Sequence, residues 1–145
     1  PSIYGKLPYD TLRDFAPVTQ TVNLNNLLVA HPSVPANNLR ELIALAKAKP
    51  GMLNYGSSAI GSNTHVAAEL FNVTAGVSIT RINYKGVSMA LTDLVSGRVQ
   101  VMFLTPGAVT AHIKTGKLRV LAVTGAKRMG AMPDLPTVAE SRVPG

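Results

Sequence analysis

The chain has 145 residues, 46% of them hydrophobic and 14% charged, which suits one folded domain and excludes a disordered tail, a fibre and a coiled coil. Cysteine is absent, which removes disulfide frameworks, thiolate zinc and iron–sulfur sites and thiol catalysis together. Fourteen Lys and Arg against seven Asp and Glu give a formal charge of +7, but the basic residues are scattered singly, Lys127-Arg128 is the only adjacent pair and Trp is absent, so a nucleic-acid surface is disfavoured against a small anion.

The elements follow in chain order. Residues 1–17 carry turn residues and few periodic apolar positions, and read as an irregular or crossing segment; Pro1-Ser2-Ile3 lacks an initiator Met, as expected of a processed chain or an excised piece. Residues 18–30 hold two short β-like stretches around Asn23-Leu24-Asn25-Asn26, ended by Pro32 and Pro35. Leu39, Leu42, Ile43, Leu45 and Ala46 then recur at helical spacing, with Asn37 or Asn38 as cap and Pro50-Gly51 as stop. Three strand–helix units follow: strand 53–57 and helix 63–75, with Ala67, Leu70 and Phe71 expected on the buried face; strand 79–84 and helix 87–95, stopped by Gly97; strand 99–104 and helix 108–114, stopped by Gly116. A strand over 118–124 closes the series. This alternation predicts an α/β fold with right-handed crossovers and a largely parallel sheet. No stretch approaches the roughly 20 apolar residues of a membrane-spanning helix.

The most informative run is Asn54-Tyr55-Gly56-Ser57-Ser58-Ala59-Ile60-Gly61-Ser62-Asn63-Thr64-His65. It leaves a strand and enters a helix, which places it at the carboxyl edge of the sheet, where open α/β folds bind ligands. Gly56 and Gly61 permit tight backbone geometry, and hydroxyls together with unpaired first-turn amides suit a carboxylate or phosphate. The plainer reading is a turn with Ser62 or Asn63 as helix cap. Gly56 and Gly61 have the glycine spacing of a phosphate-binding P-loop, but Ser62-Asn63 stands where that motif requires Lys and a hydroxyl residue, which disfavours nucleotide hydrolysis. A second strand-to-helix turn, Asn83-Tyr84-Lys85-Gly86-Val87-Ser88, can address the same ligand, although a lone Lys85 is more often a solvated surface residue. His31, His65 and His112 have no metal-ligand spacing, the acids form no close pair, and Ser57-Ser58 is not in a Gly-x-Ser-x-Gly elbow; nothing here supports an enzyme.

Several runs carry a resemblance: Lys6-Leu-Pro-Tyr-Asp10 with Asp14-Phe-Ala-Pro-Val18; His31-Pro-Ser-Val-Pro35 with Leu42-Ile-Ala-Leu-Ala-Lys-Ala-Lys-Pro-Gly51; Leu53-Asn-Tyr-Gly-Ser-Ser58 with Gly61 and His65; Tyr84-Lys-Gly86 with Ala90-Leu-Thr-Asp-Leu94; His112-Ile-Lys114 with Gly116-Lys-Leu-Arg119; and Leu121-Ala-Val-Thr124 with Pro133-Asp-Leu-Pro-Thr-Val-Ala-Glu140. In this order they resemble the Bug-type periplasmic solute-binding receptors of tripartite tricarboxylate transporters. The resemblance implies a periplasmic-binding-protein type II-like α/β domain with a mostly parallel sheet flanked by helices. It also implies a two-lobed receptor that closes on a small organic carboxylate without a cofactor or chemistry and serves membrane transporter subunits. Residues 21–122 would then be the complete second domain, with 1–20 and 123–145 as stubs crossing to a first domain outside this chain. Such stubs can bury Ile3, Leu12, Phe15, Leu135 and Val138 by self-association of the chain.

Carried over by position, the ligand-binding residues are Gly56, Ser57, Ser58, Gly61, Ser62, Asn63, Thr64 and His65; Tyr84, Lys85 and Gly86; and Leu104 and Thr105, with no metal site. Ala59 and Ile60 depart from the small and polar residues usual in the first loop, and Val87 stands where Ser is common. Leu104 stands where many members carry Asp, which points to a ligand with a less polar body. The alternatives are an effector-sensing domain of a transcription regulator, for which no helix-turn-helix lies in these residues, and a phosphate- or nucleotide-handling α/β domain.

Overall fold

A computed structural model describes residues 7–20 and 24–141. Its elements are β1 (Leu27–Ala30), α1 (Leu39–Ala48), β2 (Asn54–Ser57), α2 (Asn63–Ala75), β3 (Thr80–Asn83), α3 (Val87–Val95), β4 (Val101–Leu104), α4 (Pro106–Lys114), β5 (Arg119–Val123) and a 3-10 turn over Ala139–Ser141. The helix ends have identifiable causes. Asn38 Oδ1 accepts the Glu41 N–H at 3.0 Å, while Glu41 Oε2 accepts the Asn37 N–H at 2.7 Å, a reciprocal cap at the start of α1. Helix α2 ends at Gly76, whose φ of 61° is the left-handed conformation that closes a helix. Of the two early β-like stretches, 21–23 lies outside the described residues and 18–20 is not a strand, which leaves β1 alone.

The sheet order is β3-β2-β4-β1-β5. β2 pairs in parallel with β3 and β4, whereas β1 pairs antiparallel with both β4 (Leu27 opposite Leu104) and β5 (Leu27 opposite Val123). Four strands therefore run one way and β1 runs against them, so the sheet is mixed. The sequence does not announce this, because β1 is Leu-Leu-Val-Ala, buried on both faces. A strand with no polar face and no crossover helix before it gives no sign of its direction.

Side chains alternate between two cores, one on each face of the sheet. Leu28, Ala30, Tyr55, Val101 and Phe103 meet α1 and α2 through Leu39, Leu42, Ala68 and Phe71. Leu27, Val29, Met102 and Leu104 meet α3 and α4 through Ala90, Leu94 and Val109. Phe71 and Phe103 pack with ring centroids 5.7 Å apart. The buried face of α2 is Thr64, Ala68, Phe71 and Ala75; of the expected Ala67, Leu70 and Phe71, Phe71 is buried, Ala67 packs partly buried against the core and Leu70 is 61% exposed. Val66, Leu70 and Val73 make the other side of α2 apolar too, so hydrophobicity alone does not say which face turns inward.

After β5 the chain doubles back. Val123 N–H donates to the Pro136 carbonyl (3.0 Å) and Val138 N–H donates to the Val123 carbonyl (2.9 Å). Leu135 and Val138, expected to be free for association, instead pack against the two cores of this same chain. Leu12 and Phe15, also expected to be available, are exposed, as is Val18, and Ile3 lies outside the described residues.

Candidate functional site

Because β2, β3 and β4 run in parallel, their carboxyl ends deliver the first turns of α2, α3 and α4 to one edge of the sheet. The reversed β1 adds its own beginning, so Asn26 arrives beside Leu104 and Thr105 from the opposite direction. Between these parts lies a cavity of about 200 Å³. Ser58, Ser62, Asn63 and Thr64 line it from the first loop and α2, Val87 from α3, Leu104, Thr105 and Ala108 from β4 and α4, and Asn26 closes it. None of these side chains is charged.

The three helix starts differ in how their amides are used. Ser62 caps α2, its Oγ accepting the His65 N–H at 3.4 Å and lying 3.1 Å from Thr64 Oγ1. Gly86 and Thr105 are the cap residues of α3 and α4, and no side chain caps either helix. Helices that converge with uncapped amino ends concentrate N–H donors and positive potential, which is a ready anion site.

The expected site residues fall into two groups. Ser58, Ser62, Asn63, Thr64, Leu104 and Thr105 line the cavity. The others do not line it. Gly56 sits inside β2 with no positive φ; a Cβ there would come within 3.1 Å of Met102 Sδ and 3.2 Å of Ala90 Cβ, so glycine serves the close approach of α3 and not an unusual turn. Ser57 is wholly buried, and its Oγ accepts Arg81 Nε–H at 2.7 Å. Gly61 does adopt a positive φ of 80°, and its N–H donates to His65 Nδ1 at 3.0 Å, which turns the imidazole back onto its own loop. Tyr84 donates its N–H to the Ser57 carbonyl (2.9 Å) and its hydroxyl to Asp93 Oδ2 (2.9 Å); burial, with the Asp93 carboxylate beside it, pushes the phenol pKa up and keeps it neutral. Lys85 is exposed, and Gly86 opens α3 with free space where a side chain would start.

Three contributors escaped the sequence reading. Arg81 ties the first loop from behind, through Ser57 Oγ and, at 2.7 Å, the Ser58 carbonyl; an arginine in a four-residue strand gives no signal of such a contact. Asn26 depends on the reversal of β1, which no local pattern reveals. Ala108 belongs to the first turn of α4, which starts at Pro106 and not at 108 as expected; Pro at the first helical position was the available signal. A second, more apolar groove of about 350 Å³ runs along α2 past Leu24, Val66, Leu70, Phe71, Phe103 and Val138, and shares Asn26 and Asn63 with the first cavity. Among the described residues, no three His, Asp or Glu side chains are grouped to hold a metal ion.

The family model of the tripartite tricarboxylate transporter family receptor matches residues 1–145. The chain belongs to that family. Protein BugT of Bordetella pertussis is 36% identical over 143 residues, covering 99% of this chain and 44% of BugT. Among solved structures, Rpa4515 of R. palustris with adipate is 40% identical with a TM-score of 0.84, covering 99% of this chain and 48% of that one. MatC from Rhodopseudomonas palustris with bound malate is 26% identical with a TM-score of 0.83, over 99% of this chain and 49% of that one. The periplasmic binding protein BugD is 31% identical with a TM-score of 0.79, over 84% of this chain and 41% of that one. This receptor-family chain thus has the α/β fold of periplasmic binding proteins and spans less than half the length of these relatives.

Proposed function

We propose that this chain is the ligand-binding second lobe of a periplasmic receptor that captures a small organic carboxylate and passes it to the membrane subunits of a tripartite tricarboxylate-type transporter. On this reading residues 21–122 are the lobe itself, and 1–20 and 123–145 lead to and from a first lobe outside the chain. The observation that carries the proposal is the convergence of three helix starts on one small cavity walled by hydroxyls, amides and apolar groups. Such a wall offers N–H donors to a carboxylate but no acid, base or nucleophile poised to react, so the act is binding without chemistry. Membership of the receptor family, with adipate and malate bound by two solved relatives, supports it over an effector domain or a phosphate-handling domain. Among the described residues no helix is long and apolar enough to cross a membrane, which is compatible with delivery to separate membrane subunits.

The wall also narrows the ligand. It has no carboxylate to receive an ammonium group, and Val87, Leu104 and Ala108 present hydrocarbon. A simple aliphatic or aromatic carboxylate fits this surface better than an amino acid, which would leave its cation unpaired once the lobes close. Calorimetric titration of the complete receptor with adipate, malate, benzoate and glutamate tests both points. At least one of the first three acids binds and glutamate binds weakest, and Thr105→Trp, which fills the cavity, removes binding without lowering the unfolding midpoint. Binding of no acid, or tight binding that survives Thr105→Trp, contradicts the proposal.

A further inference from the structure

We infer that Asn26, acting through Asn63, is a positioning residue of this cavity; the inference rests on the carboxylate reading above. Asn26 lies just before β1 and is only 3% exposed. Its backbone is pinned in both directions to the residue that follows β5: Asn26 N–H donates to Thr124 Oγ1 at 2.9 Å, and Thr124 N–H donates to the Asn26 carbonyl at 2.9 Å. The crossing is tight beyond this pair as well, since a Cβ on Gly125 would stand 2.6 Å from Asn25 Nδ2. Asn26 is therefore a fixed point on the cavity wall.

From that point its side chain holds Asn63, the first residue of α2, in a reciprocal amide pair. Asn26 Nδ2 donates to Asn63 Oδ1 at 3.1 Å, and Asn63 Nδ2 donates to Asn26 Oδ1 at 3.2 Å. Each carboxamide has two N–H groups and spends one on the other, so each retains one donor for a third group. Asn63 is exposed and would otherwise sample several rotamers; the pair selects one and orients its amide beside the first turn of α2. In a wall without any cation, a pre-oriented neutral N–H is the type of group that an anion can use at no reorganisation cost. The same two side chains separate the cavity from the apolar groove along α2, so the pair also fixes where the cavity ends.

The pair has a strict chemistry. Ala at position 26 removes the partner of Asn63 but leaves both backbone bonds to Thr124 intact. Asp at position 26 removes a donor and places a negative charge, nearly buried, on the wall that receives the ligand. The test uses the complete receptor, adipate, malate and benzoate as probes, and three variants: Asn26→Ala, Asn26→Asp and Asn63→Ala. Asn26→Ala and Asn63→Ala each weaken binding roughly tenfold, the scale of one lost hydrogen bond to an ionised partner, and Asn26→Asp weakens it further at neutral pH. Unfolding midpoints without ligand control for stability. A role confined to packing would not move a second readout, the side-chain amide signals of a receptor labelled with 15N-asparagine. The signals of Asn26 and Asn63, identified by their loss in Asn26→Asp and Asn63→Ala, shift as the acid is added. Unchanged affinity in Asn26→Ala and Asn26→Asp, or amide signals that stay fixed while wild type binds, overturns the inference alone. Failure of wild type to bind adipate, malate and benzoate alike overturns the carboxylate reading and this inference with it.

Discussion

Ser57 and Arg81 meet behind the first loop, with Arg81 Nε–H donating to Ser57 Oγ at 2.7 Å and the same guanidinium reaching the Ser58 carbonyl and, at 2.8 Å, Asn83 Oδ1. The hydroxyl expected to touch ligand is thus committed to holding the loop against β3, and the neighbouring Ser58 is the one that lines the cavity. Ser57→Ala removes one of the three oxygens that receive this guanidinium, so it costs stability, by about 1–3 kcal/mol, more than it costs direct ligand contact. Urea unfolding of wild type and Ser57→Ala checks this; equal midpoints contradict the clamp. Gly56→Val acts by another route. Its backbone is not in the glycine-only region, so the penalty is overpacking against Met102 and Ala90, about 1–3 kcal/mol, and Ala at the same position costs less. A φ-based penalty would make Ala and Val equally bad, which the same unfolding experiment distinguishes.

At the scale of elements, the segment after β5 shows how a short tail is fastened. Thr137 N–H donates to Glu140 Oε2 (2.8 Å) and Glu140 N–H donates to Thr137 Oγ1 (3.0 Å), a reciprocal cap, while Arg128 Nε–H donates to the same carboxylate at 2.9 Å. The Thr137 N–H foremost, and then Arg128, hold the Glu140 carboxyl below the ordinary carboxylate range. Because the folded pKa is depressed, this contribution is present above the unfolded glutamate pKa of about 4.3 and is lost as pH falls through and below it. On acidification, residues 136–141 therefore lose hydrogen-exchange protection before β1 and β4 do, and Glu140→Gln abolishes that acid step. Simultaneous loss across the sheet contradicts the assignment. The element scale is also where the sequence was most legible. The spacing of Leu39, Leu42 and Ala46 and the stops at Gly97 and Gly116 mark real helices and ends, because period and left-handed glycines are local properties. The direction of β1 and the buried face of α2 were not legible, since both are decided by neighbours distant in sequence.

For the whole molecule, the same division explains the site. Ser58, Ser62, Asn63 and Thr64 could be placed at this edge from sequence because they follow a strand that runs in the common direction, whereas Thr105 came only from the family resemblance. Asn26 could not, because it precedes the one strand that runs the other way. The chain spans less than half the length of the relatives named above, and Leu12, Val18 and Leu24 expose apolar surface. Produced alone, the chain folds around its two cores, self-associates through these residues, and binds whichever acid the complete receptor binds best at least about a hundredfold more weakly than that receptor does, since a single wall leaves the acid in water on its other side. Light scattering showing only monomer, or equal affinities in calorimetry, contradicts this. The central claim is that the amino ends of α2, α3 and α4 together receive a carboxylate, and a crystal structure of the complete receptor with a bound acid tests it most directly. The account predicts a carboxylate group in the cavity between Ser62, Val87 and Thr105, accepting backbone N–H bonds from at least two of the three helices, with no charged side chain of residues 24–141 in contact. A carboxylate held by Lys85, Arg81 or any other charged side chain of this segment, with the three helix starts facing only water, would contradict it.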